Sequence, residues 1–89
     1  MKYVIKNSFG YYKFYRKIPN SQKQFIFSLK TKNLKLAKKI VSSFLIQSTP
    51  YFLYLQNLSK EEIMIRFVEI NTIFENYKEE ALKEYTLNI

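Results

Sequence analysis

The chain of 89 residues contains no cysteine, no histidine and no tryptophan, and its seven acids are all glutamates placed after Ile40. Without Cys there is no disulfide framework, Fe–S cluster or thiolate zinc site. That absence agrees with a reducing, cytoplasmic setting. Without His there is no imidazole base and no ordinary metal cage. One Gly cannot build a phosphate-cradling loop. The paired acids Glu61–Glu62 and Glu79–Glu80 read as a helix cap and a solvated helix face. The expectation is therefore a protein that is not an enzyme, with no catalytic residues, no metal and no cofactor.

What the sequence has is aromatic residues, at 18%, and a net charge of +8 that is unevenly spread. Residues 1–39 carry eleven Lys and Arg and no acid, whereas residues 40–89 carry four basic groups and all seven acids. The first segment is thus +11 and the second −3. A run this basic calls for polyanion contact or strong solvation. Eighty-nine residues is one domain's worth of chain, since domains usually run to about 100–150 residues.

The start Met1-Lys2-Tyr3-Val4-Ile5-Lys6 has too short an apolar run for a signal peptide. Ile40 to Ser59 carries no charge, but its Ser, Thr, Gln and Asn residues make it too polar for the ~20 predominantly apolar residues of a span. No membrane association is expected, and the chain reads as intracellular.

Three strand-like runs open the chain: Tyr3 to Asn7, Tyr11 to Ile18 and Gln24 to Lys30. Asn7-Ser8-Phe9-Gly10 and Pro19-Asn20-Ser21-Gln22 supply the turns between them. Short connections imply an antiparallel meander. Successive strand residues face opposite sides. Tyr12, Phe14, Phe25, Phe27 and Leu29 are therefore expected inward. Tyr11, Lys13, Tyr15, Lys17 and Lys30 are expected on an outward basic-aromatic face. Arg16 falls on the apolar side by alternation. A bulge would re-aim it, or it would snorkel at the sheet edge.

After Asn33, an expected N-cap, the period becomes helical, with Leu34, Ala37, Ile40 and Phe44 on one side and Lys35, Lys38, Lys39 and Ser42 on the other. Pro50 is expected to break or kink this helix, which in the kinked form continues over Tyr51 to Leu55. Ser59 and Glu62 form a capping box. Ile63, Phe67, Ile70, Phe74, Tyr77 and Ala81 then mark a second amphipathic helix of about six turns. The fold class expected is α+β: a three-stranded antiparallel β-sheet packed on an amphipathic helix, followed by a long C-terminal helix. Residues 1–58 would form the sheet-plus-helix domain. Residues 59–89 would form the C-terminal helix, a packing, partner or linker element.

The outward sheet face is the candidate site. Lysines there suit phosphate contact with counterion release, and tyrosines supply flat surface and a hydroxyl donor. A β element can enter a DNA major groove. The plainer alternative is that Tyr favours strands and Lys solubilises exposed faces. The acid-free first 39 residues favour nucleic acid.

Tyr11-Tyr12-Lys13-Phe14-Tyr15-Arg16-Lys17-Ile18-Pro19, then Phe27-Ser28-Leu29-Lys30-Thr31, then Asn33 to Ala37 resembles the N-terminal region of phage integrases, the tyrosine site-specific recombinases. Leu58-Ser59-Lys60-Glu61-Glu62-Ile63 is similar to a segment found further along many of them. The resemblance spans roughly residues 10–85 and implies an arm-type, AP2-like DNA-binding domain whose sheet enters the major groove. It also implies a mobile element and a role in DNA recombination and integration, in a bacterial or phage-infected cell near the nucleoid. By position, Tyr11, Lys13, Tyr15, Arg16, Lys17, Lys30 and Lys32 would be DNA-binding. The family's catalytic Arg, Lys, His and Tyr set has no counterpart in a chain without His. A fragment of a longer recombinase and a stand-alone protein both fit.

Two rivals stay open. One is a protein-interaction module, an inhibitor or dimerising regulator, acting through aromatic residues 44–55. Tyr51, Phe52, Tyr54, Leu55 and the C-terminal helix would then contact a partner or second copy. The other is RNA, with tyrosines stacking on bases. On the leading reading, double-stranded DNA meets the sheet and residues 40–89 stay clear of it.

Overall fold

The computed structural model describes residues 3–86. In chain order it contains β1 (Val4–Lys6), β2 (Tyr12–Lys17), β3 (Gln24–Ser28), α1 (Leu34–Leu55), α2 (Lys60–Ile65) and α3 (Phe67–Thr86). The strands form one antiparallel sheet in the order β1-β2-β3. The fold is α+β, a three-stranded antiparallel sheet with helices and a long C-terminal helix, as the sequence pattern implies.

Both sheet turns follow from local chemistry. The Asn7 carbonyl accepts from Gly10 N–H at 3.1 Å, and Asn7 Oδ1 accepts from the amides of Phe9 and Tyr11. Gly10 sits at φ 91°, where a Cβ would be strained. In the second turn Asn20 takes φ 57°, a conformation Asn tolerates better than most residues. Ser21 Oγ accepts from Lys23 N–H at 3.0 Å.

The register places Phe14 between Val4 and Phe27, and Arg16 opposite Phe25. Phe14, Phe25, Phe27 and Leu29 are buried, and Tyr12 is half-buried against them. Phe44 and Phe52 of α1 and Phe74 of α3 complete an aromatic core. Ring centroids lie 4.8 Å apart for Phe14–Phe44, 5.2 Å for Phe25–Phe74 and 4.7 Å for Phe52–Phe74. Such pairs add about 0.5–1.5 kcal/mol each beyond area burial. Ile63, Ile70, Phe74, Ala81 and Leu82 belong to the same core as the sheet phenylalanines.

The helix starts are capped as expected. Asn33 Oδ1 accepts from Leu36 N–H at 3.1 Å. Ser59 and Glu62 form a reciprocal capping box at 3.2 and 3.4 Å.

Three local expectations are corrected and a fourth is narrowed. Leu34 is 42% exposed rather than inward, and Leu36 packs against the core instead. Helical side chains lean toward the N-terminus, so at the first helical position no earlier turn shelters Leu34. Of the two expectations at Pro50 the break is excluded, since α1 runs through it to Leu55. Phe52 and Leu55 beyond it are buried, and their packing outweighs the lost amide donor. The second helix divides at Arg66 (φ −95°, ψ 13°) into α2 and α3. Helical bonds meet at the break, from Arg66 N–H to the Glu62 carbonyl and from Ile70 N–H to the Arg66 carbonyl. β3 ends at Ser28. Leu29 N–H then donates to the Tyr12 carbonyl, Tyr12 N–H donates to the Thr31 carbonyl, and Lys30 between them takes φ 56°.

Among the described residues, no helix is long and apolar enough to cross a membrane.

Candidate nucleic-acid interface

The register defines the outer face of the sheet row by row. Ile5, Lys13 and Ser28 lie side by side, then Tyr15 beside Ile26, then Lys17 beside Gln24. Lys17 is exposed, while Lys13 and Tyr15 are half-buried by their neighbours. Alternation places Lys13, Tyr15 and Lys17 together, and β2, the central strand, holds all three. A central strand is braced on both sides, so these side chains stand on the stiffest part of the sheet.

The face is less basic than the sequence pattern alone conveys. Ile5 and Ile26 are 49% and 51% exposed within it. Both are visible in the sequence, but their positions beside Lys13 and Tyr15 follow only from the register. An apolar side chain between lysines can contact a thymine methyl or a sugar.

Three further candidates lie at the end of the face near the first turn. Tyr11 is 41% exposed. The Lys32 ammonium lies 4.9 Å above its ring, a cation–π contact. The Lys32 stem also passes Gly10, within 3.7 Å of where a Cβ would stand. Lys30 is exposed, off the strand, in its left-handed position. Among the described residues the ion pairs are those of Lys78 with Glu75 and Glu79. Lys13, Lys17, Lys30 and Lys32 therefore have no carboxylate partner among the described residues.

Arg16 stands apart from this group. The β2–β3 register is unbroken from Lys13 to Lys17, so no bulge re-aims it. Its guanidinium lies on the inner side, 3.8 Å from the Phe52 ring centroid and 4.9 Å from that of Tyr3. It is half-buried between two aromatic rings, and the sheet separates it from Lys13, Tyr15 and Lys17.

The aromatic region expected as a partner surface is also partly withdrawn. Phe52 and Leu55 are core residues at 1% and 0% exposure. Tyr51 packs on Phe74 at 5.4 Å. The Tyr54 hydroxyl accepts from Arg66 Nη1 at 3.0 Å, and its ring is 46% exposed. The most exposed apolar residues of the helices are Ile46, inside that region, and Ile65 and Val68, outside it.

Sequence reading missed the surroundings of Lys17. Asn20 Nδ2 donates to the Leu58 carbonyl at 2.7 Å, tying the β2–β3 turn to the loop before α2. A hollow of about 340 Å³ opens there, lined by Lys17, Asn20, Ser21, Gln22 and Lys60. A second hollow of about 310 Å³ adjoins it, shares Asn20, Ser21, Gln22 and Lys60, and continues over Lys23, Ile63, Met64 and Phe67. No local signal links Lys60 to Lys17, since only tertiary packing brings them together.

Among the described residues no group of three or more acidic side chains is placed to hold a metal ion. No protein-family model, curated protein or solved structure matches the chain.

Proposed function

We propose that this chain is a non-catalytic module that binds double-stranded DNA through the outer face of its sheet, as part of a phage integrase-like, tyrosine-recombinase system of a mobile element. The observation that carries the reading is the set Lys13, Tyr15 and Lys17 on the central strand, free of carboxylate partners, within a 39-residue segment that contains no acid. Lysines supply phosphate contacts and so set affinity and its salt dependence. Tyr11 and Tyr15, with Ile5 and Ile26, supply the surfaces that read groove shape and base edges. Arg16 serves this reading by bracing β2 against α1 rather than by touching DNA.

The test is Lys13→Glu combined with Lys17→Glu, measured as binding of a duplex over a chloride series. Affinity should fall steeply and the salt slope should drop by about two, one for each lost phosphate contact. Binding that survives the double change at moderate salt rejects the sheet face. Competition among duplex DNA, single strands and RNA ranks the nucleic-acid alternatives, because stacking on Tyr11 and Tyr15 would favour unpaired bases.

A second reading, a protein-interaction module, is favoured by a different observation. Met64, Ile65 and Val68 are 65%, 83% and 79% exposed around the Arg66 break. Exposed apolar clusters often mark contact surfaces. Light scattering of the parent chain and of Ile65→Ser with Val68→Ser tests this reading in its dimer form. A dimer that dissociates on substitution supports it, and a monomeric parent removes it.

A further inference from the structure

The hollow beside Lys17 brings a residue of the acidic half of the chain to the edge of the basic sheet. Lys17 ends the outward row of β2, and Lys60 begins α2. Both line one hollow of about 340 Å³, together with Asn20, Ser21 and Gln22 and with no carboxylate in the lining. Glu62 is occupied, its side chain turned back to the Ser59 amide in the capping box. Two lysines lining one hollow without a carboxylate give it a positive charge, which an anion would offset. The walls are held in place. Asn20 bonds the Leu58 carbonyl at 2.7 Å, and Ser21 Oγ accepts from Lys23 N–H at 3.0 Å. The Ser21 hydroxyl proton and the Gln22 side chain leave donors available at the rim.

We infer that this hollow receives a phosphate group, namely a backbone phosphate of the bound duplex, gripped between Lys17 and Lys60. The inference rests on the sheet-face reading of function and extends it. The interface then reaches past the sheet onto α2, and Lys60 takes part although residues 40–89 carry net negative charge. Lysine suits this role because an ammonium neutralises phosphate as a point charge without demanding bidentate geometry.

Binding of the full chain to duplex DNA over a chloride series tests it, with Lys60→Gln and Lys60→Arg as variants. Lys60 is exposed at a helix start, so circular dichroism should show both variants folded. Lys60→Gln should weaken binding roughly three- to tenfold at low salt and lower the salt slope by about one, whereas Lys60→Arg should keep both. In a parallel arm, the amide resonances of Ser21, Gln22 and Lys60 are followed during titration with inorganic phosphate and with duplex. An unchanged affinity and slope in Lys60→Gln, while the Lys13→Glu, Lys17→Glu pair abolishes binding, overturns this inference and leaves the sheet reading intact. Shifts caused by inorganic phosphate, with DNA binding indifferent to Lys60, assign the hollow to free phosphate and also overturn it. If the sheet pair has no effect either, both readings fall together.

Discussion

The Arg16 guanidinium lies 3.8 Å from the centre of the Phe52 ring, which joins the middle strand to the far end of α1. The Tyr3 ring flanks the same guanidinium at 4.9 Å. A partly desolvated cation–π contact is worth about 1–2 kcal/mol, and the Arg stem adds packing. Arg16→Gln should therefore lower the unfolding free energy by about that amount, read as a lower urea midpoint at unchanged slope. Its duplex affinity, measured where the variant is still folded, should stay within about twofold, since side-chain effects on the inner face do not reach phosphates on the outer one. A large loss of affinity with unaltered stability would return Arg16 to the interface.

Asn20 performs two tasks that substitutions can separate. Its backbone takes φ 57°, and its amide holds the Leu58 carbonyl. Asn20→Gly keeps the backbone conformation and loses the hydrogen bond, at a cost of about 1 kcal/mol. Asn20→Ala loses both and should cost about 1 kcal/mol more. Equal urea midpoints for the two variants would show that the turn carries no conformational cost.

How far the sequence reveals these features depends on their range. Phe25, Phe27 and Leu29 alternate, and Asn33 and Ser59 carry their own capping chemistry, so strand faces and helix starts were readable from neighbouring residues. Lys13, Tyr15 and Lys17 group together by the same alternation. Features that depend on distant partners are not readable in this way. Pro50 signals a break or a kink without deciding between them, and it is buried Phe52 and Leu55 that hold the next turn in place. Phe52 looks like a surface aromatic until α1 is laid against Arg16. Ile26 becomes a neighbour of Tyr15 only through the register, and Lys60 meets the sheet only through the Asn20 tether.

Ser48 is buried at 0% exposure on α1, and its hydroxyl lacks a hydrogen-bond partner. A buried unpaired polar group costs about 1–3 kcal/mol. Ser48→Ala removes that cost, improves helix propensity and leaves little void. Thermal unfolding should therefore occur at a temperature several degrees higher, on the order of 4–8 °C per kcal/mol gained for a domain of this size. A lower melting temperature would mean that the hydroxyl has a partner after all.

Pro50 occupies an exposed position inside a continuous helix. It has no amide to offer the Ile46 carbonyl and crowds that turn. The Thr49 hydroxyl donates to the Leu45 carbonyl alongside it. Pro50→Ala restores the missing bond and should stabilise the chain by about 1–3 kcal/mol, with a matching rise in helical circular dichroism. Destabilisation would show that the packing of Phe52 and Leu55 requires the local geometry that proline imposes.

Two protons are held more tightly by the folded chain than by the unfolded one. Burial, then the Glu69 carboxylate, pushes the Tyr51 hydroxyl upward. The hydrogen bond from Lys78 to Glu75 raises the Lys78 ammonium. A raised folded-state value means that the native state binds more protons between the unfolded and folded pKa, so stability falls as pH rises through that window. The stabilisation is fully present at neutral pH and begins to fade above about pH 10, the ordinary tyrosine value. Urea midpoints should be level from neutral pH to about pH 10 and fall beyond it. Tyr51→Phe should flatten part of that fall. A midpoint that stays level to about pH 11, or a Tyr51→Phe profile identical to the parent's, would overturn the assignment.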